Sequence, residues 1–396
     1  MKLGSTMTRK TIAYFCGVIA TIFSLGASAQ SITTPAEHAV IMDYDSGAIL
    51  YEKAADTPTA PASMSKLMTV AIVFEKLANG ELNLDDEFAV SEKAWKMGGS
   101  KMWTRVDTTI PLKDLLRGVI VQSGNDACIV IAENISGTED AFAQLMTRKG
   151  REWGLKNSTF ANSTGWPDEK HKMSTRDLAL LARKIIHDYP EYYGLFNERE
   201  FTWEKIRQPN RNPILFNVDG ADGLKTGHTE ESGYGLVGSA KIKNDRRIVV
   251  VNGLTSEKER ANESARLMRI AFNDFSNRSL FQAGDIAGDA VVFAGRSPSV
   301  PLVTAEPVSM IVHRSTADNL RATVVYEGPI EAPVAKGQQV GYLRVEAEGG
   351  GAREYPLYAG KDVKSVGLFG RIGLAVKTLM TKPSEGAAAA DASTAN

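Results

Sequence analysis

The sequence has few cysteines and histidines, and its charges nearly cancel. Of its two cysteines, Cys16 falls in an N-terminal segment that we expect to be removed, so Cys128 is left without a partner for an internal disulfide. The five histidines show no metal-site spacing, and neither a metal nor another cofactor is expected. With 46 basic and 47 acidic residues, the chain lacks the basic excess of a nucleic-acid-binding protein.

The N-terminus has the pattern of a secretory signal peptide. Lys2, Arg9 and Lys10 precede an apolar stretch over residues 12–25, and small residues follow, with cleavage expected after Ala29. An uncleaved membrane anchor is the alternative, although the apolar stretch is short for a span. The sequence therefore predicts a chain of residues 30–396 that is exported across the cytoplasmic membrane.

The exported chain is predicted to contain two domains. In residues 30–280, hairpins at Asp45-Ser46-Gly47 and Lys243-Asn244-Asp245 flank a series of helical periods, and a last helix is predicted over Glu257–Phe275. This order indicates an α+β domain in which an antiparallel sheet has a helical block inserted between its strands. Residues 283–361 carry short strands separated by glycine and proline, which is typical of a small all-β sandwich domain.

The C-terminal residues suggest contact with a membrane. Over residues 362–381, apolar side chains such as Phe369 and Ile372 fall on one helical face and basic residues surround them. This pattern predicts an amphipathic helix on an anionic membrane surface. The alternative is a final helix packed on the all-β domain, and residues 382–396 are expected to be a disordered tail.

One stretch early in the chain carries the first chemical signal. A loop with two prolines leads into an apolar helical run from Met64 to Leu77, which places Ser63 at the first turn of a buried helix. Lys66 lies on the same face as Ser63. A buried lysine is either paired or uncharged, and an uncharged amine beside a hydroxyl is a general base beside a nucleophile. Alone, Ser-x-x-Lys also arises by chance.

Two further short elements follow in the chain. Ser123-Gly124-Asn125 falls at a turn between two apolar helices, and Lys225-Thr226-Gly227 falls on a strand. Singly, each element is more often only a turn or a strand end. Their order after Ser63-Met64-Ser65-Lys66 makes them a strong joint signal for acyl transfer through a serine.

These elements resemble those of penicillin-binding proteins and serine β-lactamases. Longer stretches, such as Gln-Ser-Gly-Asn-Asp-Ala-Cys at 122–128 and Asp-Gly-Leu-Lys-Thr-Gly-His-Thr at 222–229, are similar to low-molecular-mass penicillin-binding proteins of the 5/6 type, which are D-alanyl-D-alanine carboxypeptidases. The resemblance spans about Thr33 to Met380. It implies a penicillin-recognising serine transpeptidase/β-lactamase-like fold for the first domain.

The resemblance gives the three elements catalytic roles. Ser63 would attack the carbonyl of the penultimate D-alanine of a peptidoglycan pentapeptide, and Lys66 would take the proton of its hydroxyl. Ser123 would pass a proton to the leaving D-alanine. A β-lactam mimics this substrate and would be trapped on Ser63.

The remaining candidates would bind substrate. Asn125 would orient substrate or Lys66, and the strand through Gly227 and His228 would align the peptide and, with the backbone of Ser63, stabilise the oxyanion. The carboxylate of the leaving D-alanine needs cations. The candidates for this carboxylate are Lys225 with Thr226, Arg260 and, by resemblance, Arg211, for which an ordinary surface arginine is the alternative.

The resemblance further implies a cell-wall enzyme of peptidoglycan biosynthesis that affects cell shape. It would be periplasmic and peripherally attached to the outer face of the inner membrane. Rival interpretations are a serine β-lactamase, although the Glu-x-x-Leu-Asn stretch of class A enzymes is absent, and a non-catalytic cell-wall-binding scaffold. Transpeptidation and endopeptidase cleavage use the same acyl-enzyme. Cys128 is expected to be a buried small residue, or a thiol whose modification blocks the site.

Overall fold

The computed structural model describes residues 32–347 and 351–367. In its first part, a five-stranded antiparallel sheet has the strand order β2-β1-β9-β8-β7, so that β7 lies at one edge, and two short hairpins, β3-β4 and β5-β6, lie outside it. The strands are β1 (His38–Asp43), β2 (Ile49–Lys53), β3 (Glu87–Ala89), β4 (Thr109–Pro111), β5 (Glu200–Trp203), β6 (Ile206–Pro209), β7 (Ala221–Thr229), β8 (Gly233–Ile242) and β9 (Asp245–Leu254).

A block of helices is inserted between β2 and β7, and one more helix follows β9. The helices are α1 (Lys66–Ala78), α2 (Glu92–Lys96), α3 (Leu112–Ile120), α4 (Asn125–Ser136), α5 (Glu139–Glu152), α6 (Thr175–Asp188), α7 (Pro190–Tyr193), α8 (Ile214–Asn217) and α9 (Glu257–Asn273). Apolar side chains of α1 are buried on every face of that helix, which makes it the centre of the main core. The predicted α+β architecture is confirmed.

Both predicted hairpins are present. Gly47, at φ 68°, turns the chain between β1 and β2, and the side chain of Asp43 accepts a hydrogen bond from the backbone N–H of Ser46 at 2.9 Å. The β8–β9 turn is a residue shorter than predicted, because Asp245 already pairs with Ile242.

The later part of the described chain is all-β, as predicted, and has its own apolar core. A six-stranded sheet has the order β14-β16-β17-β12-β11-β15, and β10 pairs with β13. The strands are β10 (Phe275–Phe281), β11 (Ile286–Phe293), β12 (Ser299–Thr304), β13 (Val308–His313), β14 (Arg321–Tyr326), β15 (Ile330–Glu331), β16 (Gln339–Glu346) and β17 (Ala352–Ala359).

Two predicted helix bounds differ from the structure. The helix predicted from Met64 begins as an α-helix only at Lys66, because Ala62–Ser65 form a 3-10 turn. The helix predicted to reach Phe275 ends at Asn273, and the chain continues directly into β10. The sequence pattern places residues 275–280 in the first domain. In the structure they belong to β10, which pairs with β13 of the second domain.

The predicted helix over residues 362–381 does not begin at residue 362. Val363 and Ser365 form β-bridges with Val334 and Gly295, and the backbone N–H of Val366 donates to the carbonyl of Ala294 at 2.8 Å. The rest of that predicted helix, the tail and the signal segment lie outside the described residues. Within the described part, no helix combines the length and apolarity that a membrane crossing requires.

We expect the protein to tolerate poorly the loss of one partner of the buried ion pair between Asp43 on β1 and Arg247 on β9. The two side chains are 8% and 3% exposed, and the carboxylate oxygen lies 2.6 Å from Nη1. Asp43→Ala leaves a buried guanidinium unpaired, which should cost about 3–5 kcal/mol in urea unfolding.

Asp85→Ala is the matched control for this substitution. It breaks an exposed pair with Lys113 and should cost less than about 1 kcal/mol. Equal losses of unfolding free energy in the two variants would contradict the expectation that breaking the buried pair costs more than breaking the exposed one.

Candidate active site

Ser63 lies in the 3-10 turn that leads into α1. The preceding residue, Ala62, is buried and has φ 49°, a backbone conformation that residues other than glycine rarely adopt. Ser63 itself is partly exposed and lies on the wall of an open cleft of ≈ 380 Å³. The turn therefore presents one hydroxyl to solvent while the rest of the segment is in the core.

Lys66 lies directly behind Ser63 and is completely buried. Its Nζ is 2.9 Å from Ser63 Oγ, 2.7 Å from Asn125 Oδ1 and 2.5 Å from the carbonyl oxygen of Thr164. All three partners are uncharged oxygens. The amine is thus hydrogen-bonded without any carboxylate contact among the residues that the structure describes.

Burial is the main influence on the Lys66 amine and lowers its pKa to about 8. The positive charge of Arg211 lowers the pKa further, whereas the carboxylate of Asp126 acts in the opposite direction. The thiol of Cys128 is itself fully buried, and burial raises its pKa to about 12. Cys128 is therefore uncharged at neutral pH, and a substantial fraction of Lys66 is neutral near pH 8.

The partners of Lys66 also decide where its lone pair points. Asn125 Nδ2 donates to the carbonyl of Gly98 at 2.9 Å, which fixes the amide so that Oδ1 faces Lys66. Asn125 Oδ1 and the Thr164 carbonyl can only accept hydrogen bonds. A neutral amine therefore donates its two hydrogens to these two oxygens, and its lone pair is left to accept a hydrogen bond from the hydroxyl of Ser63.

A second serine–lysine pair faces the first. Ser123 follows α3 at φ 60°, a strained conformation for a serine, and its Oγ accepts a hydrogen bond from Lys225 Nζ at 2.9 Å. Both side chains are buried. Burial, followed by the charge of Lys66, holds the pKa of Lys225 well below its ordinary value.

The edge strand β7 forms the wall opposite this turn. A Cβ on Gly227 would come within 2.8 Å of the carbonyl oxygen of Pro61, so only glycine lets the strand approach the Ser63 turn this closely. Thr226 is buried beside it. His228 is exposed at the rim, where its ring stacks on Tyr234 at a centroid distance of 3.9 Å.

Two arginines line the end of the cleft. Arg260, from α9, is only 7% exposed, and its Nε has no hydrogen-bond partner among the described residues. The carboxylate of Glu257 lies 3.8 Å from the guanidinium of Arg260. Arg211 is hydrogen-bonded to Ser100 Oγ. This end of the cleft is therefore suited to an anionic group.

The structure brings all the sequence-predicted site residues together. Seven of them line the cleft: Ser63, Ser123, Arg211, Thr226, Gly227, His228 and Arg260. The other three, Lys66, Asn125 and Lys225, lie behind its wall, and the two lysines contact the two serines directly.

Four contributors were missed by sequence reasoning. Thr164 acts through its backbone carbonyl, which leaves no trace in the sequence. Ser100 lies in a polar stretch, residues 80–108, to which the sequence pattern assigns neither a clear helix nor a clear strand. Asp126 accepts hydrogen bonds from three successive backbone N–H groups, residues 102–104, and so fixes that region. Glu257 could have been found from its position one helical turn before Arg260.

Comparisons with known proteins cover most of the chain. A family model described as D-alanyl-D-alanine carboxypeptidase matches residues 25–256, and one described as penicillin-binding protein 5, C-terminal domain, matches residues 275–365. The D-alanyl-D-alanine carboxypeptidase DacC of Escherichia coli is 36% identical over 87% of this chain and 89% of its own. DacF of Bacillus subtilis is 33% identical over 87% and 90%.

Solved structures agree with these matches. Penicillin-binding protein 5 from Haemophilus influenzae superposes with a TM-score of 0.74 at 35% identity, covering 85% of this chain and all of its own. Penicillin-binding protein D2 from Listeria monocytogenes, in an ampicillin-bound form, gives 0.56 at 28% identity over 61% of this chain and 99% of its own.

Proposed function

The chain belongs to the D-alanyl-D-alanine carboxypeptidase family of S11 peptidases, and from that membership we propose how its cleft carries out the reaction. The family resemblance found in the sequence is confirmed, and the chain is a serine-type D-Ala-D-Ala carboxypeptidase. We assign the nucleophile to Ser63 and the general base to Lys66. The observation that supports this assignment is the 2.9 Å contact between the hydroxyl and a fully buried amine.

The first half of the reaction forms an ester. Ser63 Oγ attacks the carbonyl carbon of the penultimate D-alanine while its proton passes to the lone pair of Lys66 Nζ, which becomes an ammonium. The carbonyl oxygen becomes an oxyanion. The peptide C–N bond then breaks, and the leaving amine takes a proton from the hydroxyl of Ser123, which Lys225 can replenish through its hydrogen bond to Ser123 Oγ.

The second half of the reaction releases the shortened peptide. A water molecule attacks the ester carbonyl and gives up a proton through Ser123 to Lys225, which restores the proton that Lys225 supplied in the first half. The ester C–O bond to Ser63 then breaks. The alkoxide recovers a proton from the Lys66 ammonium, which accounts for the proton taken in the first half. No cofactor is required by this scheme.

The edge strand β7 is suited to hold the peptide. It pairs with β8 on one side, and its other edge faces the cleft, so an extended substrate can add to the sheet by main-chain hydrogen bonds. We propose that backbone N–H groups of Ser63 and of β7 near His228 stabilise the oxyanion. Asn125 would hold Lys66 in place and contact the substrate amide.

The cationic end of the cleft would bind the free carboxylate of the leaving D-alanine. Arg260 offers an unpaired buried Nε, and Lys225 with Thr226 lies on the adjoining strand. Arg211 lines the same cleft and would assist. A terminal carboxylate at this position explains the preference for cleaving the last residue.

Penicillins are expected to acylate Ser63. The Listeria relative has been crystallised in ampicillin- and cefotaxime-bound forms, and a β-lactam presents a strained amide to the same nucleophile. The segment facing Lys66 contributes a carbonyl, that of Thr164, where a class A β-lactamase relies on a free carboxylate to hydrolyse its acyl-enzyme rapidly. This observation favours slow release of penicillin over a β-lactamase.

We also propose where the enzyme acts. The signal pattern ending at Ala29 supports export to the periplasm, where the peptidoglycan stem peptides are found. The basic and apolar residues after residue 367 support peripheral attachment to the outer face of the inner membrane. In this location the enzyme would trim pentapeptides during cell-wall synthesis and affect cell shape.

Replacing the nucleophile should abolish covalent capture. We expect wild type to gain the mass of one benzylpenicillin in intact-mass measurement and Ser63→Ala to gain none, with kcat/KM for a D-Ala-D-Ala peptide lower by about 10⁴-fold or more. Ser65→Ala is the matched control and should keep the adduct. An adduct in Ser63→Ala at the wild-type rate would rule out the assignment.

Arg260→Gln should weaken binding of the substrate carboxylate. A hydrogen bond to a charged group is worth about 1.5–3 kcal/mol, so KM for the D-Ala-D-Ala peptide should rise about 10- to 100-fold. Arg269→Gln changes an exposed arginine on the same helix and should leave KM unchanged. An unchanged KM in Arg260→Gln would place the carboxylate elsewhere.

Removal of residues 368–396 should release the protein from membranes. Purified protein of residues 30–396 should sediment with phosphatidylglycerol vesicles but not with neutral phosphatidylcholine vesicles, because the segment is basic and apolar. The shortened protein should stay in solution with both. Equal sedimentation of the two proteins would contradict the proposed attachment.

A further inference from the structure

Residues 162–165 form a loop that contacts the buried amine of Lys66 through a backbone carbonyl. The Thr164 carbonyl accepts from Lys66 Nζ at 2.5 Å, and the neighbouring carbonyl of Ser163 accepts from Thr69 Oγ1 at 2.8 Å. Lys66 and Thr69 are both on α1, three residues apart, and so lie on the same face. Two successive carbonyls of the loop are therefore docked on one face of α1.

Glu139, the first residue of α5, holds the other side of this loop. Its Oε1 accepts from the Ser163 backbone N–H at 3.1 Å and from Ser163 Oγ at 2.8 Å, and its Oε2 lies 2.8 Å from Lys93 Nζ. The carboxylate is buried. Burial opposes its ionisation, but the hydrogen bonds from Lys93 and Ser163 prevail and hold the pKa of Glu139 below its usual value.

We propose that Glu139 is a positioning residue: it clamps Ser163 so that the Thr164 carbonyl takes one hydrogen of Lys66 and excludes water from that side of the amine. The inference deepens the proposed function and rests on Lys66 as the base. Without the clamp, the carbonyl can withdraw and water can replace it as the acceptor. The amine then keeps its hydrogen bonds but loses its burial.

Loss of burial should change the pKa of Lys66 in a definite direction. Because burial is the main cause of the low pKa of this amine, water entry should raise its pKa towards that of an exposed lysine. The neutral fraction at pH 7 then falls. The other titratable and charged groups around Lys66 are Asp126 and Cys128 on α4, Lys225 on β7, Arg211 from the cleft and His171 beyond the loop. The Glu139 substitution keeps all of these groups but removes a negative charge that raises the pKa of both His171 and Cys128.

The test is the pH dependence of acylation by benzylpenicillin, followed by intact mass on the full exported chain. In Glu139→Ala we expect the midpoint of the rise in rate to move up by about one pH unit, which is a loss of about 10-fold at pH 7. The high-pH plateau should remain near that of wild type. A merely structural role would lower the melting temperature without moving the midpoint.

Glu75→Ala is the matched control. Glu75 on α1 pairs with Lys149 on α5 at 3.0 Å, so this substitution likewise removes a carboxylate that contacts a neighbouring element, but it touches neither the loop nor Lys66. Its acylation midpoint should be that of wild type. An equal shift in Glu75→Ala would show that any loosening of the two helices suffices, and the proposal would be wrong.

Two further variants keep the proposal testable. Should Glu139→Ala not fold, Thr69→Val removes the other attachment of Ser163 and should shift the midpoint in the same direction; no shift in either variant contradicts the clamp. Lys66→Met separates this inference from the proposed function. Wild-type acylation in Lys66→Met would refute Lys66 as the base, whatever Glu139 does.

Discussion

The site depends on the burial of two lysines, Lys66 and Lys225, that have no carboxylate partner in the part of the chain that the structure describes. Each polar partner of Lys66 Nζ and Lys225 Nζ in the described structure is an uncharged oxygen. Two ammonium groups in a dry interior would repel each other and lose their hydration, which is costly. The pair therefore favours a state in which one amine is neutral at physiological pH. A neutral amine beside Ser63 provides the base for acyl transfer, and the guanidinium groups of Arg211 and Arg260 keep the cleft suited to an anionic substrate.

The fold brings three distant segments to this pair of amines. The Ser63 turn packs against β7, and Gly227 makes that approach possible. The turn after α3 holds Ser123 in a strained backbone conformation, and the adjacent Asp126 anchors the loop that carries Ser100. The side chains that react are therefore set by packed helices and an edge strand.

The sequence predicted the site better than its surroundings. The residues at 63, 66, 123 and 225 could be found because their chemistry depends on side-chain identity and on spacing along helices and a strand. The role of Thr164 could not, since a backbone carbonyl is the same at every position. Strand β12 was missed as well: it contains Pro301, which argues against a strand, although alternate residues are buried along it. The predicted ends of helices and strands differ from the observed ends by a few residues, because packing against neighbouring elements determines where a helix or strand ends.

A titration of Lys66 itself tests the central claim most directly. Lysine labelled with ¹³C and ¹⁵N at the side chain can be followed by NMR in Ser63→Ala, where the cleft is intact but no reaction occurs, and Lys66→Met assigns the signal. We expect a midpoint at about 8, because the amine is fully buried among uncharged oxygens. A midpoint above 10, as for an exposed lysine, would show that Lys66 remains protonated and cannot be the base.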